Sequence, residues 1–220
     1  MRPGITIYNA TSLDGRLTGF QADLDLYYGI SSKWGNDGVL VGSETVLKSM
    51  EEVPEETEES RRPPESVNDE KLPYVIFVDS RGRIRSHHVF RHLPYIREVL
   101  VLISKKTPDE YRKYLGKRNI DYIESGEDRV DLKEAVEVLH RDYGLNNMRS
   151  DSGGSLNSVL MREGLVDRIV ILMDPVLVGG GNTPFFGELP SVVRLKTEKM
   201  ELVENGNILL SFYVIRENIS

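Results

Sequence analysis

Residues 149–187 read RSDSGGSLNSVLMREGLVDRIVILMDPVLVGGGNTPFFG, and this stretch decides the fold because it places a glycine pair before a helix and an apolar strand. Gly153 and Gly154 have no Cβ, so the backbone can turn tightly there and a ligand can approach the main chain. A glycine turn that opens a helix leaves free N–H groups at the positive end of the helix dipole. The stretch therefore predicts phosphate or nucleotide binding; a structural turn that merely needs glycine is the alternative.

The rest of this stretch predicts a helix followed by a buried strand. Ser152 or Ser155 can cap the helix, leucine and valine side chains form an apolar stripe along it, and Gly164 supplies its end. Residues 168–173, RIVILM, are apolar enough for a strand that is covered on both faces. Residues 175–181 then turn the chain over the expected site.

The composition sets bounds on the fold and on the partners. A chain of 220 residues with 39% hydrophobic residues predicts a single α/β domain over residues 1–220. The absence of cysteine excludes disulfides and thiolate chemistry and favours a cytoplasmic location. A net charge of −7 argues against a nucleic-acid surface. No apolar run approaches the roughly 20 residues that span a bilayer, and no signal-peptide core is visible, so we expect no membrane contact.

Two strands toward the N-terminus each end in a turn that suits a ligand. Residues 4–10 are extended and lead into the turn TSLDGRL, where Asp14 is the first candidate carboxylate; an Asx-turn is its alternative role. Residues 39–41 lead into Gly42, and Thr45 follows in the first turn of a helix. A strand, a glycine, a hydroxyl group and a helix in this order predict a second anion pocket, although Thr45 would also suit a plain first helical turn.

The remaining segments predict a mostly parallel sheet that is flanked by helices and carries an antiparallel C-terminal hairpin. Asn205-Gly206 is a strong hairpin signal, and Glu134 is placed to complete a capping box with Asp131. A polar, acidic loop over about 50–72 is expected to be mobile, with a lid or a partner contact as the alternative. The other predicted elements are a helix over 23–34, strands over 73–79 and 99–103, a helix over 108–115, a strand over 121–123, a helix from Asp131 to Gly144, and extended segments over 192–203 and 208–215.

Several common catalytic motifs are absent from the sequence. It contains no HExxH, no Walker lysine motif and no G-x-S-x-G elbow. The histidines at 87, 88, 92 and 140 have no third ligand at a suitable spacing, so we expect surface histidines and no metal site. Arginines at 81, 83 and 85 and lysines at 105 and 106 follow strands and are either solvated or anion ligands. This pattern is typical of a protein that orients a cofactor which carries the chemistry.

Five segments, in order and at suitable intervals, carry a resemblance over nearly the whole chain. It resembles the dihydrofolate-reductase-like family that includes the C-terminal domain of bacterial RibD and the separate archaeal and fungal reductases of riboflavin synthesis. The segments are SLDGRL at 12–17, VLVGSETVL at 39–47, VDSRGRI at 78–84, GGSLNSVLMREGLVDRIVI at 153–171 and PVLVGGG at 175–181.

The resemblance implies a homodimeric, NADPH-dependent reductase of riboflavin biosynthesis. Its substrate would be 2,5-diamino-6-ribosylamino-4(3H)-pyrimidinone 5′-phosphate, whose ribosylamino group, as an open-chain imine, receives hydride at C1′. Asp14 falls on the family's active-site aspartate, and Asn9, Ser12, Asp14 and Asp151 are the expected substrate-binding residues. By motif match, the expected cofactor-binding residues are Gly42, Thr45, Asp79, Ser80, Arg81, Gly82, Val130, Ser152, Gly153, Gly154 and Ser155.

Two departures from the family pattern concern the substrate. Ser152 stands where the family motif has a glutamate, with Asp151 one place earlier; neighbours on an extended segment point to opposite sides. The riboflavin enzymes of the family have an Asp-Asp-Pro segment and a downstream arginine that binds the substrate phosphate, and this chain has other residues there. Arg61 and Arg62 are the remaining candidates for binding that phosphate. The alternatives are therefore a reductase of the same fold that acts on another pyrimidine or pteridine-like substrate, or a nucleotide-binding protein without catalysis.

Overall fold

The computed structural model describes residues 1–50, 52–189 and 191–216, in which strands and helices alternate along most of the chain. The strands are β1 (Gly4–Ser12), β2 (Gly38–Gly42), β3 (Tyr74–Val78), β4 (Val99–Ile103), β5 (Tyr122–Glu124), β6 (Asn147–Ser150), β7 (Arg168–Asp174), β8 (Leu195–Leu202) and β9 (Ile208–Val214). The helices are α1 (Leu24–Ser31), α2 (Ser43–Lys48), α3 (His87–Arg91), α4 (Asp109–Gly116), α5 (Leu132–Tyr143) and α6 (Gly154–Arg162).

The chain divides into two compact units. The first comprises Met1–Pro3 and Asn36–Met148, and the second comprises Gly4–Gly35 and the chain from Arg149 onward. The second unit is therefore assembled from two segments that are distant in sequence. That residues 1–220 act as one domain stays a prediction.

Four parallel strands form the sheet of the first unit, in the order β5-β4-β3-β2. Every residue of β4 is buried, which matches its unbroken apolar sequence VLVLI. One core cluster joins these strands to the neighbouring helices through side chains that include Phe77, Ile84, Tyr111 and Leu115. The parallel strands expected from the sequence in this region are confirmed, with bounds that differ by at most one residue.

Helix α5 begins as the sequence predicts, with one difference in its cap. The Asp131 carboxylate accepts from the backbone N–H groups of Lys133 at 2.9 Å and Glu134 at 3.1 Å. The Glu134 side chain accepts instead from Gly126 N–H at 3.4 Å, so the predicted capping box is not completed. The helix ends at Tyr143, and Gly144 follows as its left-handed cap.

The described residues of the polar segment over about 50–72 form a loop, as expected, with one short 3-10 turn at Glu65–Asn68. It is nevertheless tied to the rest of the first unit. The buried Arg91 donates to the Arg61 carbonyl at 2.7 Å, and Ser66 Oγ donates to the Arg97 carbonyl at 3.1 Å. His88 is buried against this loop and lies 2.9 Å from the Pro54 carbonyl, and His87 is also buried, so the prediction of surface histidines is wrong at 87 and 88.

The second unit combines a parallel pair of strands with the predicted antiparallel hairpin. Its strands run in the order β1-β7-β9-β8, where β1 and β7 are parallel and β9 is antiparallel to both neighbours. Asn205 and Gly206 have φ values of 59° and 78° in the turn of the hairpin, as an Asn-Gly hairpin requires. Strand β8 starts at Leu195, three residues later than the predicted extended segment.

Some elements of the structure differ from those predicted from the sequence. Neither β6 nor α3 was predicted, because NMRS and HHVFR carry little periodicity. Helix α6 has Gly153 as its N-cap residue, so neither Ser152 nor Ser155 occupies the predicted N-cap position. In the described part of the chain, no helix has the length and apolarity needed to cross a bilayer.

Candidate active site

The predicted cofactor residues of the first unit lie at the carboxyl ends of β2 and β3. Gly42 and Val78 are paired in the parallel register, so the two turns that follow these strands are neighbours. Asp79 is fully buried, and its carboxylate accepts from the backbone N–H groups of Arg83 at 2.6 Å and Ile84 at 2.8 Å. The Asp79 carboxylate therefore supports this turn, and a cofactor contact from Asp79 stays a prediction.

Two glycines keep the backbone close to other groups. Gly82 has φ +62°, and a Cβ there would lie 2.7 Å from the Tyr111 ring. In the second unit, a Cβ on Gly154 would lie 2.6 Å from the Pro184 carbonyl oxygen. These positions therefore require glycine for the local packing, whether or not a ligand is bound.

Ser80 and Val130 were predicted separately as cofactor-binding residues, and the structure brings them together. Ser80 Oγ accepts from Val130 N–H at 3.0 Å. The Ser80 carbonyl accepts from Thr107 Oγ1 at 2.8 Å, which fixes the turn from its other side. Arg81 is exposed beside them. The turn therefore combines a fixed backbone, a hydroxyl group and an exposed guanidinium, a set of donors that suits a phosphate.

Arg83 has a role that the sequence did not reveal. Its Nη2 donates to Ser43 Oγ at 3.0 Å and to Glu44 Oε1 at 2.6 Å, at the start of α2. The hydrogen bond from Arg83 lowers the pKa of the Glu44 carboxyl. Thr45 follows, half-buried, in the first turn of this helix. Lys105, by contrast, is exposed and forms an ion pair with Glu127.

In the second unit, a buried amide network fixes the main chain just before α6. Asn9 Nδ2 donates to the Ser152 carbonyl at 3.0 Å, and Asn157 Nδ2 donates to the same oxygen at 3.2 Å. Asn157 Nδ2 also donates to Asn9 Oδ1 at 2.9 Å, and Ser150 Oγ donates to Asn157 Oδ1 at 3.0 Å. The predicted residues Asn9 and Ser152 are therefore in contact, although the Asn9 amide serves the backbone.

Asp14 joins two loops of the second unit. Its carboxylate accepts from Ser12 Oγ at 2.7 Å and from the backbone N–H groups of Val178 at 3.1 Å and Gly179 at 2.9 Å. These hydrogen bonds, the one from Ser12 first, lower the pKa of Asp14 to about 2. Asp14 is therefore ionised at neutral pH, which favours an electrostatic role over proton donation.

Backbone hydrogen bonds extend this connection along both loops. Leu13 N–H donates to the Val176 carbonyl at 2.9 Å, and Leu17 N–H donates to the Thr183 carbonyl at 2.8 Å. Phe185 N–H donates to the Gly15 carbonyl at 3.0 Å. The SLDGRL turn and the glycine-rich segment after β7 therefore form one layer, which contains two of the segments that carried the resemblance.

Asp151 is held by groups that the sequence did not predict. One carboxylate oxygen accepts from the buried Tyr27 hydroxyl, and the other lies 3.2 Å from Arg149 Nη2. Burial, with a further contribution from Asp151, raises the pKa of Tyr27 well above its usual value. Tyr27 lies on α1, more than a hundred residues from Asp151, so no local sequence signal could have linked the two residues. Among the described residues, no group of three or more His, Cys, Asp or Glu side chains could hold a metal ion.

The sequence pattern of the RibD C-terminal domain matches residues 3–209, nearly the whole chain. The chain belongs to this family. It is 29% identical over 214 residues to the 2,5-diamino-6-ribosylamino-4(3H)-pyrimidinone 5′-phosphate reductase of Archaeoglobus fulgidus, covering 94% of this chain and 96% of that protein. The protein of the same name from Methanothermobacter thermautotrophicus is 30% identical over 186 residues, covering 82% and 81%.

Solved structures show the same fold. A pyrimidine reductase-like protein from Corynebacterium diphtheriae has a TM-score of 0.72 and 21% identity, with 98% of this chain and 93% of that chain covered. A riboflavin biosynthesis reductase from Saccharomyces cerevisiae has a TM-score of 0.66 and 18% identity, with 97% and 90% covered. The mixed sheet of this RibD C-terminal domain, mostly parallel with an antiparallel C-terminal hairpin, agrees with the fold class expected from the sequence.

Proposed function

We propose that this chain is an NADPH-dependent reductase of riboflavin biosynthesis. Its substrate would be 2,5-diamino-6-ribosylamino-4(3H)-pyrimidinone 5′-phosphate, and its product would carry a ribitylamino group. The observation that carries the proposal is the similarity to the archaeal reductase of that name, which extends over 94% of this chain. The family match over residues 3–209 supports it.

The donor groups of the first unit fit an anionic cofactor. The candidate residues there are Thr45, Ser80, Arg81 and Val130, of which Ser80 and Val130 are in contact. In the second unit, the candidate groups are the backbone and side chains of 152–155, where Gly154 leaves no space for a Cβ. NADPH would supply hydride, and the role of these residues would be to bind and orient it.

We propose an electrostatic role for Asp14. Reduction of a ribosylamino group through its open-chain imine is favoured when the imine nitrogen is protonated and therefore cationic. Asp14 stays ionised well below neutral pH because three donors stabilise its charge. A carboxylate fixed in this way would stabilise the cationic imine without giving up a proton. Ser12, which donates to Asp14, would act in the same substrate-binding region.

Two arginines of the polar loop are the candidates for binding the substrate's phosphate. Arg61 Nε donates to Glu56 Oε2 at 2.9 Å, so this guanidinium is already engaged by a carboxylate. Arg62 is exposed and is the remaining arginine that the sequence suggested in the loop. Removing its charge should raise the KM for the phosphorylated substrate if Arg62 provides the grip.

The proposal is tested by mixing the purified chain with NADPH and the ribosylamino-pyrimidinone phosphate. We expect loss of NADPH absorbance that depends on both the protein and the substrate, with the ribitylamino product found by mass spectrometry. Turnover of a pteridine-like substrate in its place would favour the other reductase of the same fold. NADPH binding without turnover of either substrate would favour a nucleotide-binding protein without catalysis.

We also propose that the chain forms a homodimer and works in the cytoplasm. All eight residues of β8 are exposed, and this strand lies at the edge of the sheet of the second unit. Met200 is 74% exposed and Leu202 is 75% exposed, which is unusual for apolar side chains on an edge strand. Light scattering should show a dimer, and Met200→Lys should shift it toward the monomer.

A further inference from the structure

Tyr8 and Tyr27 form a nearly symmetric buried pair in the second unit. Their rings stack with centroids 4.2 Å apart and planes 7° apart. The Tyr8 hydroxyl donates to the Tyr27 carbonyl at 3.1 Å, and the Tyr27 hydroxyl oxygen lies 2.9 Å from the Tyr8 carbonyl oxygen. The pair differs in one respect: the Tyr27 hydroxyl also contacts Asp151 Oδ1. Packing alone therefore does not account for the Tyr27 hydroxyl.

The Asp151 carboxylate is fixed from the protein side and open on the other. Arg149 Nη2 lies 3.2 Å from Oδ2, and the Arg149 side chain is only 9% exposed, whereas that of Asp151 is 21% exposed. Each carboxylate oxygen has two acceptor directions, so each keeps one after binding its internal donor. The result is a carboxylate with two remaining acceptor sites, held in one orientation.

The backbone beside this carboxylate is fixed as well. The Ser152 carbonyl accepts from the side-chain amides of Asn9 and Asn157, so the main chain cannot turn Asp151 away easily. Ser152 itself is 3% exposed, although it occupies the position where the family motif has a glutamate. Asp151, which is partly exposed, is therefore the carboxylate available at the start of this glycine turn.

We infer that Asp151 binds the 2-amino and N3–H edge of the substrate's pyrimidinone, and that Tyr27 is the positioning residue that orients it. This inference rests on the proposed function. The substrate named for the archaeal relative has an amino group at C2 next to a hydrogen on N3, which gives two parallel N–H donors. A carboxylate accepts such a pair with both oxygens, provided that its plane is fixed. Tyr27 does not contact the substrate; it fixes that plane.

The kinetic experiment compares three single variants of the full chain. Tyr27→Phe should raise the KM for the pyrimidinone phosphate about tenfold, because it removes one hydrogen bond to a charged group. Its kcat and its KM for NADPH should stay within about twofold of wild type. Asp151→Asn should raise the same KM about a hundredfold. Tyr8→Phe is the matched control, since it removes the other hydroxyl of the stacked pair but no contact to Asp151, and its KM should match wild type.

The binding experiment uses probes that do not depend on turnover. By calorimetry, wild type should bind 2-amino-6-methyl-4(3H)-pyrimidinone more tightly than 6-methyluracil, which lacks the amino group. Tyr27→Phe and Asp151→Asn should lose this preference, and Tyr8→Phe should keep it. The double variant that combines Tyr27→Phe with Asp151→Asn should bind the aminopyrimidinone no more weakly than Asp151→Asn alone. Wild type that shows this pattern but oxidises no NADPH would refute the proposed function and leave the inference standing.

Three results would overturn the inference. One is an equal loss in Tyr27→Phe and Tyr8→Phe, which would mean that the tyrosines only support the fold. Another is an unchanged KM and an unchanged preference in Tyr27→Phe. The third is wild type that does not distinguish the two probes, which would mean that Asp151 does not bind the amino edge.

Discussion

Two turns, one in each unit, are organised by an aspartate that accepts backbone N–H groups, and they use it differently. Asp79 is fully buried and accepts from Arg83 and Ile84, four and five residues further along the chain. Asp14 is exposed and accepts from Val178, 164 residues away. The turn in the first unit is therefore stabilised by hydrogen bonds between residues that are close in sequence. The turn in the second unit is joined to a distant loop and keeps its charge at the surface, where a substrate can reach it.

The largest expected effect follows from neutralising the exposed aspartate. Asp14→Asn should lower kcat about a hundredfold, because it removes the charge and leaves backbone donors facing an amide. The KM for NADPH should change by less than about threefold, so turnover falls more than cofactor affinity. Ser12→Ala, which removes one donor but keeps the charge, should have a much smaller effect. An equal loss of turnover and cofactor affinity, or no loss, would reject a catalytic role for Asp14.

The next largest effect concerns the stability of the turn after β3, in the first unit. Gly82→Ala should lower the free energy of unfolding by about 2 kcal/mol, because the added Cβ meets a strained backbone and the Tyr111 ring. Gly29→Ala in α1 is the matched control, since its added Cβ would meet nothing within 4 Å. It should be neutral or slightly stabilising. Urea unfolding measures the free energy of unfolding of both variants. Equal effects would show that the turn tolerates a side chain at 82.

A smaller effect, on cofactor preference, is expected from the exposed arginine of the turn after β3. Arg81→Ala should narrow the preference for NADPH over NADH about tenfold if this exposed guanidinium binds the 2′-phosphate. Lys105→Ala should narrow it less, because Lys105 is already paired with Glu127. The ratio of kcat/KM for the two cofactors is the measurement. A ratio that does not change in Arg81→Ala would make Arg81 a solvated surface residue.

The smallest effect is a pH dependence in the polar loop. Hydrogen bonds from Arg118 first and then Arg61 lower the pKa of Glu56 from 4.5 to about 2. Because the folded-state pKa is the lower one, ionised Glu56 stabilises the fold above pH 4.5, and this contribution is lost as the pH falls toward 2. Glu56→Gln should cost about 1 kcal/mol at neutral pH.

The check is urea unfolding of Glu56→Gln and wild type at neutral and at acid pH. The difference between them should shrink as the pH is lowered. Glu55→Gln, at an exposed neighbouring position, should match wild type throughout. A stability difference between Glu56→Gln and wild type that stays the same at acid pH would contradict the ion pair between Glu56 and Arg118.

Most of the strands and the glycine turns could be predicted because their signals are local. The apolar run of β4, the Asp131 cap and the Asn205-Gly206 turn each depend on a few adjacent residues. The resemblance also assigned site residues to particular loops, and those assignments stay predictions. That Ser80 contacts Val130 agrees with their assignment to one site.

The partners of the site residues could not be predicted, because they come from distant parts of the chain. Tyr27 reaches Asp151 across 124 positions, and Asp14 reaches Val178 across 164. Nor does the sequence show that Asp79 is buried, since an aspartate after a strand suits a ligand contact and a turn equally well. Those roles depend on packing, which brings together residues without any shared periodicity.

The most direct measurement uses NADPH that carries deuterium at the transferred position of the nicotinamide C4. If the chain is the proposed reductase, mass spectrometry will find one deuterium at C1′ of the ribityl chain of the product, formed in step with cofactor oxidation. Product without deuterium, or cofactor oxidation without product, would contradict the account.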